Sequence, residues 1–407
     1  MSESQAPEAT GARRWVVPAV LVACTSTSIL STDLYTPSLP HLPRLLSSDP
    51  ETVQLTMSLN LAAFAVAQLF HGPLADRYGR RRMLILGLFG FALASIGCAL
   101  AQGIGGLLAA RIAQGICISV PSVLVAVIVR ELYSAQMAMR IMGVYGMAVG
   151  IAPAIGPLIG GYVHVYAGWR MNFVLLAVLA GVVLVLVARL LPETGGGAGA
   201  ALGPRRIVAD YLRLLGRPAY VRYLVPLVML FGSLFAFVTA GPFVLIDRMG
   251  VATQHYGLYY AVLVVAYIVG GLCVIRLAGR VDPEHLVRSA IFLACLAAVL
   301  LAAPVLAGHE SLYGLMAGMT CLSVAIGMIL ASGTVRLLDA AGDVPRGAAS
   351  ALVGFLQMGT ASLAGLMVGT FHDGTARPMI ATIAVFLCIG IIGYFGLGRR
   401  AQPADTA

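Results

Sequence analysis

The chain has 407 residues, of which 59% are hydrophobic and 11% charged, and its mean hydropathy is +0.92. A soluble domain carries about 25% charged residues, so this composition excludes an ordinary soluble enzyme or binding module and calls for lipid-facing surface. The net charge of +9 does not make a nucleic-acid binder, because the basic residues, all arginine, are scattered between apolar runs and form no stripe.

Residues 1–14 are polar and end on Arg13-Arg14. The apolar run after them is too long for the core of a cleavable signal and reads as a retained first helix. About 20 mainly apolar residues cross a hydrocarbon core. That ruler gives twelve spans: 15–39, 53–72, 83–102, 105–129, 141–165, 171–191, 222–245, 256–276, 288–308, 312–335, 348–371 and 379–397. Gln102-Gly-Ile-Gly-Gly106 is a tight turn between the third and fourth. The longest connection, 192–221, is Gly-rich at first and then runs through Arg205-Arg206 and Asp210-Tyr-Leu-Arg213, which suits a flexible linker followed by a short interfacial helix.

The expected protein is therefore an all-α membrane protein. It has a tail over 1–14, a six-helix bundle over 15–194, a linker over 195–221, a second six-helix bundle over 222–398 and a tail over 399–407. Two such halves suggest a transporter built from repeats, with its site near the midplane between them. If the N-terminus is cytoplasmic, the outer side keeps four arginines (Arg44, Arg170, Arg248, Arg377), Arg111 lies inside the fourth span, and the other twenty-one face inward. Such asymmetry places both termini in the cytoplasm.

The seven cysteines lie in apolar segments without metal-ligand spacing and read as small buried hydrophobes. The seven histidines are dispersed, and no nucleophile–base pair appears, so neither a metal, a cofactor nor an enzyme is expected.

Asp33 is the carboxylate that stands out. An ionisable group within a span is costly and marks a candidate functional site with a partner to be found; the bland alternative is a helix-end residue just outside the membrane. At 1.5 Å per residue, Asp33 lies about 27 Å beyond Trp15, and Arg111 about 28 Å from Arg130 on a returning helix. The two charges share a depth, so either could satisfy the other.

Four stretches carry a resemblance. Gly72-Pro-Leu-Ala-Asp76-Arg-Tyr-Gly79-Arg80-Arg-Arg82 resembles the signature cytoplasmic loop of the major facilitator superfamily. Arg111-Ile-Ala-Gln114-Gly115 is similar to that superfamily's second motif. Pro153 with Gly156-Pro157-Leu-Ile-Gly160-Gly161 resembles its antiporter motif, with Ala152 where a glycine is usual. Asp33-Leu-Tyr35-Thr-Pro-Ser-Leu-Pro40, with Leu191-Pro-Glu-Thr194 and Ser350-Ala-Leu-Val-Gly-Phe-Leu-Gln357-Met358, resembles the Bcr/CflA branch of drug:proton antiporters.

The resemblance implies coupling roles for Asp33 and Arg111. It also implies a cytoplasmic gate of Asp76, Arg80, Glu131 and Arg336, in which an Asp76–Arg336 pair ties the halves together. Thr25 stands where some relatives carry a second acidic residue, leaving Asp33 as the sole carboxylate clearly inside a span. Met57, Leu61, Phe64 and Gln68 share a helical face, and Tyr256, Tyr260 and Tyr267 nearly do. With Tyr35, Gln114, Met147, Gln357 and Met358 they are the candidate substrate cavity, adaptable through methionine and attractive to cations through aromatic faces, although such stripes also serve plain packing. The implied function is proton-coupled export of lipophilic drugs or small toxic compounds by a monomer in the bacterial inner membrane, with protons and lipid as its other partners. A proton-coupled metabolite importer and a lipid or glycolipid flippase are the alternatives on the same fold.

Overall fold

The computed structural model describes residues 13–194 and 204–398, and every regular element among them is helical. Among these described residues, twelve helices are long and apolar enough to cross a membrane. The first six are α1 (Arg13–Asp33), α2 (Pro50–Tyr78), α3 (Arg80–Leu100), α4 (Ile104–Leu132), α5 (Ala135–Ala167) and α6 (Arg170–Leu190). The second six are α7 (Pro218–Pro242), α8 (Tyr256–Leu277), α9 (Pro283–Leu306), α10 (Leu312–Ala340), α11 (Arg346–Thr370) and α12 (Arg377–Gly398). An even number of crossings puts the start of α1 and the end of α12 at one end of the molecule, here the terminal end; the opposite end is the far end.

Local chemistry sets the boundaries. Pro50, Pro218 and Pro283 open α2, α7 and α9, where a missing N–H costs nothing. Gly79 ends α2 with a φ of +95°, a backbone conformation that side-chain-bearing residues resist. The apolar span at the start of the chain runs from Trp15 to Leu45. Its regular helix nevertheless stops at Asp33, and Thr36–His41 continues as a 3-10 turn because Pro37 and Pro40 cannot donate to an α-helical ladder. Asp33 is thus both a helix-end residue and a buried one.

The packing repeats with an offset of six helices. α1 packs on α4, α5 and α6 as α7 does on α10, α11 and α12; α2–α4 and α3–α6 are matched by α8–α10 and α9–α12. Two pairs, α2–α11 and α5–α8, make the main helix contacts between the six-helix bundles, and the same offset exchanges them. At the far end the union is tight. Thr36 to Pro40 are all buried, and His41 Nε2 lies 2.9 Å from Thr253 Oγ1 of the other bundle. The Ser362 hydroxyl donates to the Ser58 carbonyl at 2.7 Å. At the terminal end, among the described residues, every ion pair stays within its own half or the linker helix.

Large apolar side chains such as Leu86, Phe89, Leu93, Phe292 and Val299 face outward, the surface a hydrocarbon solvent requires. Cys273 and Cys388 lie on that surface too, so the expectation of buried cysteines fails for these two; both are small enough and apolar enough to face lipid. The linker helix Pro204–Leu215 buries Leu214 beside Tyr220 and Leu224 and exposes Val208 and Leu212. The Gly-rich stretch 195–203, both tails and the side chains of Arg13, Arg14, Arg205 and Arg206 lie outside the described residues.

Candidate functional site

Arg111 on α4 is fully buried. A guanidinium brings five N–H donors, and taking it out of water demands acceptors for them. Three helices supply them. Nε donates to the Thr56 carbonyl at 3.3 Å, Nη1 to the Ser31 carbonyl at 3.1 Å and to Gln114 Oε1 at 2.7 Å, and Nη2 lies 3.8 Å from Met57 Sδ. The guanidinium carbon also stands 4.4 Å from the centre of the Tyr35 ring, a cation–π contact. Further bonds hold this cage: Gln114 Nε2 donates to Ser95 Oγ at 2.7 Å, Tyr35 shares a 2.9 Å bond with Thr56 Oγ1, and Asn60 Nδ2 donates to the Arg111 carbonyl at 2.8 Å.

Asp33 is 5% exposed and turns the other way. Its carboxylate forms no ion pair and no side-chain hydrogen bond among the described residues, so the expected pairing with Arg111 is not made. The reason is azimuthal. Arg111 reaches α1 from the α2–α4 side through Ser31, whereas Asp33 faces α5 and α8. A Cβ on Gly156 of α5 would lie 2.9 Å from the Asp33 Cβ. From α8, Tyr256 and Tyr260 lie within reach of the Asp33 carboxyl, and the buried Tyr256 hydroxyl stands near Thr36. Thr25, also buried with an unpartnered hydroxyl, offers no second acid.

The α5 motif is the seat for this arrangement. Gly156 admits Asp33; a Cβ on Gly160 would overlap the Leu34 carbonyl oxygen; a Cβ on Gly161 would come within 2.7 Å of the Thr253 carbonyl oxygen. Gly257 of α8 leaves room for the backbone at Pro157 and Leu158 in the same way. Small residues here let three backbones converge, as close helix packing in membranes needs. Pro153 and Pro157 lie within α5 beside these glycines.

The residues expected in the cavity fall into several settings, with Tyr267 half-buried on α8. Tyr35, Met57 and Gln114 belong to the Arg111 cage, and Leu61, Tyr256 and Tyr260 are buried in packing. Phe64, Gln68, Gln357 and Met358 are half-buried along the α2–α11 side, and Met147 on α5 is 61% exposed. A Cβ on Gly143 or Gly146, near Met147 and toward the terminal end, would meet nothing within 4 Å.

At the terminal end Arg80 bonds both Asp76, at 3.1 Å, and Glu131, which brings three of the four gate candidates together. The fourth, Arg336, pairs instead with Asp282, the residue that also caps α9 by accepting the Glu284 backbone N–H at 2.7 Å. The Asp76–Arg336 pair is absent because each charge meets a nearer opposite charge in its own half. A further contact at this end also escaped sequence reasoning. Glu193 Oε1 accepts the Arg81 backbone N–H at 3.0 Å and Arg80 N–H donates to the Thr194 carbonyl at 3.1 Å, so Leu191-Pro-Glu-Thr194 docks a carboxylate on the start of α3.

Comparison with known proteins agrees with this architecture. The family description Major Facilitator Superfamily matches residues 21–367. An MFS-type transporter, YdgK of Bacillus subtilis (strain 168), is 31% identical over 377 residues, covering 91% of this chain and 92% of its own. A bicyclomycin resistance protein homolog of Haemophilus influenzae is 26% identical over 90% of this chain and 92% of its own. The multidrug transporter MdfA of Yersinia pestis is 26% identical over 86% and 85%. Among solved structures, a bacterial homolog of the human lysosomal transporter Spinster, inward-facing and unoccupied, superposes with a TM-score of 0.78 at 15% identity, covering 97% of this chain and all of that one. A D-xylose–proton symporter superposes with 0.73 at 14% identity, covering 96% and 98%. With the family description spanning most of its length and its twelve helices arranged as theirs are, the chain belongs to the Major Facilitator Superfamily of transporters.

Proposed function

We propose that this protein exports lipophilic drugs or small toxic compounds in exchange for protons, by alternating access, and that Asp33 is its proton carrier. The observation that supports this most is a buried carboxyl group with no ion-pair partner among the described residues, placed where α1, α5 and α8 of the two halves converge. Without a cation beside it, the closed arrangement suits the neutral carboxyl; water reaching it from one side suits the carboxylate. In this cycle the terminal end is cytoplasmic. Substrate enters past Met147, Phe64, Gln68, Gln357 and Met358, displaces the Asp33 proton, and the halves rock about α2–α11 and α5–α8. A proton from the far side then restores the neutral form as substrate leaves. Arg111 acts as a positioning residue, holding the end of α1 through the Ser31 carbonyl. Arg80 and Arg336 are the charges free to exchange partners when the terminal end closes, the moment at which an Asp76–Arg336 pair would form.

The names of the H. influenzae and Y. pestis relatives support export, and the arginine asymmetry supports a bacterial inner-membrane orientation with cytoplasmic termini. The test is direction. Everted membrane vesicles with an acidic lumen should accumulate a susceptible host's resisted compound only when the protein is present, and dissipating the gradient should release it. Accumulation driven by the opposite gradient would make the protein an importer, and lipid transfer without drug accumulation a flippase.

A further inference from the structure

Two histidines lie in the seal at the far end, beyond the Asp33 seat along both α1 and α5. His41 closes the 3-10 turn after α1, and His164 stands near the end of α5; both are half-buried, within reach of water. Their rings stack with centroids 4.5 Å apart and planes 22° apart. Each ring also has a different partner. His41 Nε2 lies 2.9 Å from Thr253 Oγ1, on the turn that enters α8 and so in the second half. His164 Nδ1 lies 2.9 Å from the Ser38 hydroxyl, which already accepts from Asn172 Nδ2 at 3.2 Å.

Hydrogen-bond accounting limits the arrangements open to this pair. A hydroxyl has one hydrogen and two acceptor lone pairs, so Ser38 Oγ, accepting from Asn172, either donates its hydrogen to a bare His164 Nδ1 or also accepts from a protonated one. A proton on that nitrogen would turn it into a donor and strand the Ser38 hydrogen. Asn172 Oδ1, buried and without a partner, is the acceptor that a rotated amide would present to it. The site therefore holds two hydrogen-bond arrangements, which differ in whether His164 Nδ1 carries a hydrogen.

The charges facing the pair grade its two protonation steps. Asp247 beyond α7 and Arg44 in the turn after His41 both act on His41, and His372 beyond α11 faces Asp247. Asp247 and Arg44 bear on His41 with opposite signs, and a lone charge on one ring meets no like charge across the stack. A second proton, on His164, sets two cations face to face at stacking distance, where like charges repel.

We propose that His41 and His164 form a second proton-binding site, a latch that keeps the far end closed with at most one proton bound and releases it when both rings are charged. It rests on the far end opening during transport, as alternating access requires, and not on Asp33 carrying the transported proton.

The test measures opening alone. The full chain, with its native cysteines replaced and spin labels at Ser47→Cys and Tyr313→Cys on the two sides of the far end, is placed in lipid nanodiscs and its label distances recorded from pH 8 to pH 5. The latch predicts a growing long-distance population, rising by at most about tenfold per pH unit for each extra proton the open state binds. His164→Gln, which keeps a bond to Ser38 but cannot be charged, should flatten the response, as should His41→Gln. Asp33→Asn should leave it in place. An absent response in the parent, an undiminished one in both glutamine variants, or its loss on Asp33→Asn alone would overturn the latch, while drug export through Asp33 would stand or fall separately.

Discussion

The Arg111 guanidinium donates to the Ser31 carbonyl at 3.1 Å, two residues before Asp33, yet forms no ion pair with the Asp33 carboxylate. One end of α1 thus lies between two buried ionisable groups, the Arg111 guanidinium of α4 on one side and its own Asp33 carboxyl on the other. Arg111 is satisfied by carbonyls, a glutamine, a thioether and a ring, and Asp33 is left to the interface between the halves.

This separation predicts different behaviour for the two residues. Arg111→Lys keeps the charge but loses the planar fork that reaches Thr56, Ser31 and Gln114 together, so the thermal midpoint in detergent should fall by several degrees. Arg111→Gln should cost more, about 3 kcal/mol, by stranding buried acceptors. In whatever fraction stays folded, substrate-linked proton release should persist, because neither change touches the Asp33 carboxylate.

The α5 glycines predict a contrast within one helix. Gly160→Ala places a methyl on the Leu34 carbonyl oxygen and should cost about 1–3 kcal/mol of stability or the equivalent in transport. Gly143→Ala, with nothing within 4 Å of the new atom, should be neutral or slightly stabilising. Equal effects at both positions in a thermal-shift series would refute the seating of α1 on α5.

At the terminal end Asp282 is held below the usual carboxylate range, first by the Glu284 backbone N–H and then by Arg336. A group depressed in this way adds stability above its unfolded value, near pH 4, and loses it as pH falls through the folded one. The midpoint of the parent should therefore drop more steeply below about pH 4 than that of Asp282→Asn, which should start lower at neutral pH. Parallel acid limbs would contradict the pairing with Arg336.

Much of this architecture was legible in the sequence because membrane spans are written in length and hydropathy, and each expected span coincides with a helix. Depth was legible too: the helical rise put Asp33 and Arg111 at one level. Rotation about the helix axes was not, since rise says nothing of which neighbour a side chain faces, and so the pair was expected and is not made. The same blindness hid the cage role of Tyr35, Met57 and Gln114 and the docking of Glu193 on α3. Asp282 went unnoticed as the partner of Arg336 because a charge between spans looks like an ordinary loop residue. His41 and His164 are 123 positions apart in sequence and only the turn at Pro37 and Pro40 brings them together.

The central claim is that Asp33 carries the proton, and it is tested most directly by proton release from purified protein in weakly buffered detergent as a transported compound is added. The parent should release protons in proportion to compound bound, Asp33→Glu should release fewer, and Asp33→Asn should bind the compound and release none. Unchanged release from Asp33→Asn would contradict the account.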